Sequence, residues 1–378
     1  MTDPCISLLE ELVAIDSVNP SLVPHAAGES KIAVCIADHL RRLGLDVHVQ
    51  EETPGRPNVI GVLDGGAPGP SLMFCGHTDT VGVEGMSDPF TPAIREGRLY
   101  GRGSQDMKSG VAAMIDSARL ARDAGFSGRL IVAAVIDEEY ASLGADQLVR
   151  EWRADAAVVT EPTDLQIGVG HKGFAWLELE THGKAAHGSR PLDGRDAIIR
   201  MGRVLQRLEA LDRELQTRPA HAVMGTASLH ASTIHGGLEW SSYPDCCRLK
   251  LERRTIAGET VELVEAEISQ MLRSLEDDDP EFSARSRLVF ARPPYETPVG
   301  HTLPATIAAL AKRRGVDAKT VGMSFWTDAA ILGEAGIPTV LFGPGGAGLH
   351  STEEYVRVAD VLACRDILAD LVVAQRAV

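Results

Sequence analysis

Short apolar runs that end in polar residues alternate with helix-patterned segments through the first part of the chain. The apolar runs are Asn58–Leu63, Ser71–Cys75, Leu130–Ile136 and Ala156–Thr160. Apolar residues at helical spacing occupy 5–15, 30–43 and Ser109–Ala124. This alternation predicts an α/β fold with a mainly parallel sheet. In such sheets the functional side chains collect at the carboxyl ends of the strands.

The middle of the chain follows a different pattern and interrupts this domain. Its predicted elements are strand Ala175–Thr181, helix Asp196–Leu215, strands Thr226–Ile234 and Cys246–Arg254, helix Glu259–Leu275 and strand Phe282–Phe290. A βαββαβ order is typical of a ferredoxin-like unit. The α/β pattern then resumes with helices Thr302–Arg314 and Thr327–Glu334, strand Pro338–Phe342 and a final helix near 359–375. We therefore expect one α/β domain formed by 1–174 and 291–378, with 175–290 inserted between its two parts.

Length, charge and cysteine usage narrow the classes of protein. A chain of 378 residues predicts two domains, and the net charge of −16 argues against nucleic acid or an anionic membrane as a partner. No stretch approaches the roughly 18 continuous apolar residues of a membrane span, and the N-terminus lacks a secretory signal pattern. The six cysteines form no C-x-x-C pair. Scattered free thiols fit a reducing cytosol, so we expect a cytoplasmic protein.

Two histidines follow predicted strands. His77, in SLMFCGHTDT, lies at a strand's carboxyl end, and Asp79 is placed to accept the second ring N–H. His350 follows a strand and a Gly-rich loop in TVLFGPGGAGLHSTEEYV, where Ser351 and Glu354 predict a capping box at a helix start. Taken alone, a histidine at a strand end is more often a structural hydrogen bonder than a metal ligand.

Carboxylates follow the other strands and the Gly-rich turn. Asp106, in YGRGSQDMKSG, is either a helix N-cap or a carboxylate that bridges two ions. The segment LIVAAVIDEEY places three consecutive acids after its apolar residues: Asp137, Glu138 and Glu139. They form either a solvated charged loop or a site in which one Glu binds a metal ion and its neighbour accepts a proton. Glu161 follows another strand in TEPT. Together, these oxygen and imidazole donors suit two ions of Zn²⁺, Mn²⁺ or Co²⁺ roughly 3.5–4 Å apart.

The motifs GHTDTV, GRGSQDMKSG, DEE, TEPT and GPG…LHSTEEYV resemble those of the M20 metallopeptidases. This family includes acetylornithine deacetylase, succinyl-diaminopimelate desuccinylase, aminoacylase-1 and glutamate carboxypeptidase, and the resemblance covers nearly the whole chain. It implies that His77, Asp106 and Glu161 hold one ion. It implies that Asp106, Glu139 and His350 hold the other.

The same resemblance implies a mechanism. A metal-bridging hydroxide attacks an amide carbonyl, and the two ions stabilise the oxyanion. Glu138 takes the proton of the water and passes it to the leaving nitrogen, while Asp79 orients His77.

The inserted domain adds residues that only the resemblance marks as functional. It implies that His187, in GKAAHGSRP, polarises the scissile carbonyl in the active site of a dimer partner. It implies that Arg254, in LERRTIAGE, grips a substrate carboxylate, for which the guanidinium fork is suited. Ser241 stands where many members carry a substrate-binding Asn, and Glu252 stands where they carry Asp. Without the resemblance, His187 is a loop histidine and Arg254 a strand-end arginine, and Arg253 is expected in solvent.

The function expected from these residues is hydrolysis of the amide bond of an N-acetyl or N-succinyl amino acid. The expected cofactors are two divalent ions, Zn²⁺ with Co²⁺ or Mn²⁺ as alternatives, and the expected assembly is a homodimer through the inserted lid domain. A dipeptidase or carboxypeptidase on the same scaffold is the first alternative, and a non-catalytic metal-binding protein is the second. Trp326 either shapes the substrate pocket or lies in the core.

Overall fold

The computed structural model describes residues 3–374, and the chain divides into two compact units. The first comprises Met1–Val169, Thr297–Val321 and Thr327–Val378, and the second comprises Gly170–Glu296 and Gly322–Trp326. The insertion predicted from the sequence, 175–290, lies inside the second unit. The short segment Gly322–Trp326, which also belongs to that unit, had no signal in the sequence.

The helices, α1 to α9 in chain order, span Pro4–Val13, Ser30–Arg42, Lys108–Ala124, Leu143–Glu151, Ala197–Thr217, Val261–Asp278, Leu303–Arg313, Ala329–Glu334 and Val358–Ala374. The strands β1 to β9 span Asp46–Thr53, Arg56–Asp64, Ser71–His77, Ala93–Arg95, Arg98–Tyr100, Arg129–Val135, Ala156–Val159, Ile167–His171 and Gly173–His182. The strands β10 to β17 span Ser228–Gly236, Cys246–Thr255, Ala284–Arg292, Tyr295–Glu296, Thr320–Met323, Thr339–Leu341, Gly346–Ala347 and Tyr355–Arg357. Position 375 of the predicted final helix lies outside the described residues.

The first unit is built on a sheet with the strand order β1-β2-β6-β3-β7-β15-β8. Its centre is parallel, because β3 pairs in parallel with both β6 and β7, and β7 pairs in parallel with β15. The outer pairs β1–β2, β2–β6 and β15–β8 are antiparallel. The mixed α/β class with a parallel centre is therefore confirmed. The carboxyl ends of β6, β3 and β7 lie side by side at one edge.

Helix α3 is the most deeply buried helix of this unit. From Lys108 to Ala118 every residue is buried, and the small residues Gly110, Ala112 and Ala113 let the helix approach its neighbours closely. Gly110 in particular faces the Thr160 carbonyl, and an added Cβ would lie 2.0 Å from that oxygen. Burial of apolar side chains stabilises such packing by about 1.5–3 kcal/mol for each large residue.

The second unit has the element order β9-α5-β10-β11-α6-β12, the βαββαβ order predicted from the sequence. Its sheet order is β10-β11-β9-β12, and all three pairings are antiparallel. Alternate residues of β11, among them Cys247, Leu249 and Leu251, are buried with the apolar faces of α5 and α6. The edge strand β10 is exposed along most of its length.

Three details differ from the sequence predictions. No helix begins directly after Ser351, because Tyr355–Arg357 form β17 and α9 begins only at Val358, so the predicted capping box is wrong. Arg253 is fully buried in an ion pair with Glu259, at 2.7 Å, so its predicted solvent exposure is also wrong. Helix α4 was not predicted from the sequence.

Of the helices described between residues 3 and 374, none is long and apolar enough to cross a membrane.

Candidate metal centre

Three neighbouring parallel strands bring acidic and imidazole side chains to one edge of the sheet. His77 is the last residue of β3, Glu138 and Glu139 follow β6, and Glu161 follows β7. Because these strands are adjacent and parallel, residues just past their ends lie close together. The strand-end pattern in the sequence is therefore reproduced as a spatial cluster.

A fourth segment, the loop before α3, supplies Asp106. The buried carboxylate of Glu354 shapes this loop by accepting hydrogen bonds from the main-chain N–H groups of Gln105, at 2.8 Å, and Asp106, at 3.0 Å. It also accepts from the guanidinium of Arg102, at 2.7 Å. Glu354 thus holds the loop in place instead of capping a helix. Asp106 is not an N-cap, because the cap residue of α3 is Met107.

Asp106 presents one carboxylate oxygen to each of two histidines. Its Oδ1 lies 3.1 Å from Nε2 of His77, and its Oδ2 lies 3.4 Å from Nε2 of His350. His350 Nε2 also lies 3.0 Å from Oε2 of Glu139. A carboxylate shared in this way is suited to bridge two cations.

Two further carboxylates complete the cluster. Nε2 of His77 lies 3.9 Å from Oε2 of Glu138 and 4.0 Å from Oε1 of Glu161. One ligand atom from each of these three residues fits within 4.8 Å, as does one from each of His77, Asp106 and Glu139. Glu138 therefore lies as near to His77 as the expected ligand Glu161 does.

The electrostatics of the cluster show an excess of buried negative charge. Burial raises the pKa of Glu138 and of Glu161 well above the usual range, and burial raises the pKa of Glu139 to about 7. Hydrogen bonds to Asp106 and Glu139 raise the pKa of His350 to about 10. Like charges in a buried site disfavour ionisation unless cations balance them.

The donor set fits two divalent cations. Four carboxylates converge on two imidazoles, so even doubly protonated histidines cannot neutralise the cluster. Among residues 3–374, no hydrogen-bond donor reaches the buried Oε1 of Glu139. Hard oxygen donors with imidazole are the ligands that Zn²⁺, Mn²⁺ and Co²⁺ accept.

Asp79 supports the cluster from behind. Nδ1 of His77 lies 3.0 Å from the main-chain oxygen of Asp79 and 3.6 Å from its Oδ1. The Asp79 carboxylate accepts the main-chain N–H groups of Glu138, at 3.1 Å, and Glu139, at 3.2 Å. A partner at Nδ1 leaves Nε2 of His77 directed at the cluster. Asp79 therefore contacts His77 and also fixes the segment that carries two of the acids.

Sequence reasoning missed several residues around this centre. Asn19 and Arg56 contact the supporting acids, Glu354 holds the Asp106 loop, and the buried Asp328 adds negative charge near Glu138. None lies in a recognisable metal-ligand spacing. Glu354 was identified in the sequence, but as the acid of an S-x-x-E capping box with Ser351 and not as the residue that holds the Asp106 loop.

The second unit brings two of the remaining predicted residues together. The main-chain N–H of Gly188 donates to the Ser241 carbonyl at 2.7 Å, and His187 forms a β-bridge with Ser242. His187 and Ser241 are both exposed. Within its own chain, the imidazole of His187 contacts the hydroxyl of Ser189 at 2.8 Å.

Arg254 lies near the opposite end of β11. Its Nε donates to Oε1 of Glu252 at 2.6 Å, and its guanidinium lies over the ring of Phe174. Within residues 3–374, no hydrogen bond occupies its two terminal nitrogens. Trp326 is a core residue of this unit, since it is buried and donates to the carbonyl of Pro293 at 3.0 Å.

The fold and the cluster define a metal-dependent hydrolase, and the chain belongs to the peptidase family M20/M25/M40, whose profile matches residues 73–374. The acetylornithine deacetylase of Proteus mirabilis (strain HI4320) is 30% identical over 378 residues, covering 97% of this chain and 95% of the relative. The N-formyl-4-amino-5-aminomethyl-2-methylpyrimidine deformylase of Bacillus subtilis (strain 168) is also 30% identical, over 388 residues, with coverage of 93% and 90%.

Solved structures share the whole fold. A tripeptidase from Staphylococcus aureus superposes with a TM-score of 0.82 at 21% identity, covering 98% of this chain and 97% of that one. A dinuclear metal binding peptidase of the M20 family from Bacillus subtilis superposes with a TM-score of 0.72 at 17% identity, covering 98% of both chains.

Proposed function

We propose that the protein hydrolyses the amide bond of an N-acyl amino acid, with acetyl or succinyl as the acyl group. The observation that carries this proposal is the Asp106 carboxylate shared between His77 and His350, with the buried Glu138 beside it. The acetylornithine deacetylase relative, similar over almost the entire chain, supports the choice of an acyl amino acid.

In this proposal His77, Asp106 and Glu161 hold one ion, and Asp106, Glu139 and His350 hold the other. Zn²⁺ is the expected metal, with Co²⁺ or Mn²⁺ as alternatives. When bound, the two ions supply Lewis acidity to the amide carbonyl and lower the pKa of the attacking water.

Glu138 acts as the general base and then as the general acid. It is the carboxylate of the cluster that no ion requires, and burial makes it a stronger base than an exposed glutamate. Its Oε2 takes the proton of the water and returns it to the amide nitrogen as the C–N bond breaks. Asp79 keeps Glu138 in place by binding its main-chain N–H.

Arg254 recognises the carboxylate of the substrate. Glu252 and Phe174 hold its side chain, and no hydrogen bond in the described part of the chain occupies the terminal nitrogens. Two parallel N–H donors match the two oxygens of a carboxylate. The Glu252 found here in place of the family's Asp therefore still anchors the arginine.

His187 acts in a second copy of the chain. Arg254 and His187 belong to opposite ends of the second unit, because β11 runs about 26 Å from Cys246 to Arg254 at about 3.3 Å per residue, and the His187 loop lies beyond Cys246. That span exceeds the length of an N-acyl amino acid. If one substrate contacts both residues, they come from two chains, which makes the protein a homodimer.

The surface of the second unit supports such a dimer. Among residues 3–374, no strand pairs with the outer side of edge strand β10, which leaves main-chain groups open for pairing with another strand. Large apolar side chains are exposed on β10, on α5 and in the loop after β10: Ile234 at 48%, Ile199 at 64%, and Leu238 and Trp240 fully. Apolar side chains beside a free strand edge mark an interaction surface.

We further propose a cytoplasmic location. Cys5, Cys35, Cys75, Cys246, Cys247 and Cys364 are all free thiols in the described part of the chain. Free thiols without disulfides are typical of a reducing compartment.

A dipeptidase is the second candidate, because a dipeptide offers Arg254 the same carboxylate. A substrate screen decides between the two. Metal-loaded protein is incubated with N-acetyl and N-succinyl amino acids and with a dipeptide panel, and chelated protein is the control. Metal-dependent release of acetate or succinate supports the proposal. Cleavage of dipeptides alone moves the protein to the peptidase branch, and cleavage of neither contradicts both candidates.

A further inference from the structure

A buried arginine lies behind the metal centre and has no part in the proposed chemistry. Arg56, the first residue of β2, has a side chain that is only 8% exposed. Its Nε donates to Oε2 of Glu29 at 2.8 Å, and its Nη1 donates to the hydroxyl of Ser21 at 2.9 Å. A guanidinium buried to this extent requires partners for its donors, and Arg56 has them on several sides.

The remaining nitrogen of Arg56, Nη2, donates to Oε1 of Glu29 at 2.5 Å and also contacts residues on the side of the centre. Nη2 lies 2.8 Å from Oδ1 of Asp137 and donates to Oδ1 of Asn19 at 3.2 Å. Asp137, fully buried, immediately precedes Glu138 and has a φ of 67°, a conformation that residues other than glycine rarely adopt. Arg56 therefore holds the carboxylate of the residue at which the chain turns toward the cluster.

Asn19 continues this path to Asp79. Its Nδ2 donates to Oδ2 of Asp79 at 2.7 Å and to Oδ1 of Asp137 at 3.1 Å. Asp79 in turn accepts the main-chain N–H groups of both Glu138 and Glu139. An unbroken set of buried and part-buried hydrogen bonds thus leads from the guanidinium to the main-chain N–H groups of Glu138 and Glu139.

The negative charge of the surrounding carboxylates explains why an arginine occupies position 56. Glu29, Asp79 and Asp137 are buried carboxylates within the same network, and Arg56 is paired directly with two of them. Without the cation the buried Asp137 carboxylate would lose this partner, and a buried charged group that loses a partner is costly. Because Asp137 immediately precedes the Glu138–Glu139 segment, a shift of its carboxylate would displace that segment.

We infer that Arg56 is a positioning residue for the metal centre, acting through Asn19, Asp137 and Asp79 to fix Glu138 as base and Glu139 as ligand. The inference rests on the proposed function for the roles of those two acids. It assigns to Arg56 no contact with substrate or metal. Partners of this kind, one layer behind the ligands, typically contribute about 10–100-fold to metal affinity or activity.

The test compares three variants of the full-length protein. Arg56→Gln removes the cation, Asn19→Ala removes the link to Asp79 while keeping the Arg56–Glu29 pair, and Arg365→Gln is the matched control. Arg365 is similarly buried, at 11% side-chain exposure, and pairs with Asp3 and Asp116 in the same unit. Within residues 3–374 its ion pairs are with Asp3, Asp116 and Asp366, all outside the centre, so its loss reports only the general cost of removing a buried arginine.

Two readouts separate positioning from folding. One is the affinity of chelated protein for Co²⁺, followed by visible absorption. The other is kcat and KM on a substrate found in the screen. We expect Arg56→Gln and Asn19→Ala to lose about 10–100-fold in Co²⁺ affinity or kcat with KM unchanged, while Arg365→Gln keeps both at wild-type values even if its Tm falls. Arg56→Lys, which keeps the charge but not the fork, should recover part of the loss.

Two outcomes would overturn the inference. One is wild-type Co²⁺ affinity and kcat in folded Asn19→Ala together with folded Arg56→Gln. The other is an equal loss in Arg365→Gln. If Arg56→Gln does not fold, Asn19→Ala decides alone. A wild-type protein that is inactive on every substrate would count against the proposed function, while the Co²⁺ titration would still decide the role of Arg56.

Discussion

The metal centre of the first unit and the functional residues proposed for the second differ in how they are held. His77, Asp79 and Glu161 are buried, and His77 and Asp79 each have several protein partners. His187 and Ser241 are exposed and have few. The difference indicates that the first site is prepared by its own chain. Under the proposed function, His187 and Arg254 gain their remaining contacts only when a substrate or another copy of the chain binds.

The largest expected effect comes from removing the proton acceptor of the prepared site. Glu138→Gln keeps the shape of the side chain and its main-chain bond to Asp79, and we expect kcat to fall by about 10²–10⁴-fold. Metal content, measured by inductively coupled plasma mass spectrometry, should stay near that of the wild type. Glu138 lies as close to His77 as Glu161 does, so loss of metal in this variant would reassign it as a ligand.

His187 tests the exposed residues of the second unit. His187→Ala should lower kcat by about 10²–10³-fold, the typical effect of losing a donor to the developing oxyanion. Because the imidazole is exposed and contacts only Ser189 within its own chain among the described residues, Tm should not change. Ser189→Ala is the control for the local contact and should stay active. A fully active His187→Ala would remove His187 from the mechanism.

Arg254 tests whether the second unit recognises a carboxylate. Arg254→Lys keeps the charge but loses the fork, so we expect KM to rise by about 10–100-fold with kcat little changed. The matched substrate is the same N-acyl amino acid with its carboxylate converted to an amide. That substrate should be equally poor for the wild type and the variant. Equal KM values of the two proteins for the acid would show that Arg254 does not bind it.

The smallest expected effect concerns stability against pH. In metal-free protein, burial raises the pKa of Glu139 to about 7 and raises those of Glu138 and Glu161 further. A carboxyl group with a raised folded-state pKa stabilises the fold at low pH, and this contribution is lost as pH rises through that pKa. Hydrogen bonds to Asp106 and Glu139 raise the pKa of His350 to about 10, and its contribution is lost in the same direction.

Chelated protein should therefore lose Tm as pH rises from about 5 to 8, whereas metal-loaded protein should lose much less over that range. Thermal unfolding with and without added Zn²⁺ measures the difference. Parallel pH profiles for the two forms would show that these acids do not share bound cations.

The clustering of strand-end side chains in the first unit has a physical reason that is visible in the sequence. Strand ends in an α/β sheet converge, so apolar runs followed by His77, Glu138 or Glu161 were sufficient to expect a cluster. The supporting layer could not be predicted in this way. Asn19 and Arg56 come from a loop and a strand start far apart in sequence, and their contact with Asp137 depends on tertiary packing.

The exposed functional residues could not be predicted from the local sequence pattern. No local pattern distinguishes His187 or Arg254 from an ordinary loop histidine or strand-end arginine, and only the family resemblance marked them. Arg253 was wrongly predicted because its charge favours exposure to solvent. The alternation of buried and exposed residues along β11 instead places it in the interior. Its partner Glu259 lies six residues away, across a turn that the sequence did not resolve.

Subunit mixing tests most directly whether the prepared site is completed by a second chain. Glu138→Ala and His187→Ala proteins, each inactive, are combined in equal amounts, partly unfolded to exchange subunits, and refolded. A mixed dimer then contains one site with both Glu138 and His187 intact. If the site is shared, activity should recover to about a quarter of the wild-type value per chain, since half of the randomly formed dimers are mixed and each has one working site. No recovery, with mixed dimers demonstrated by tagged subunits, would contradict it.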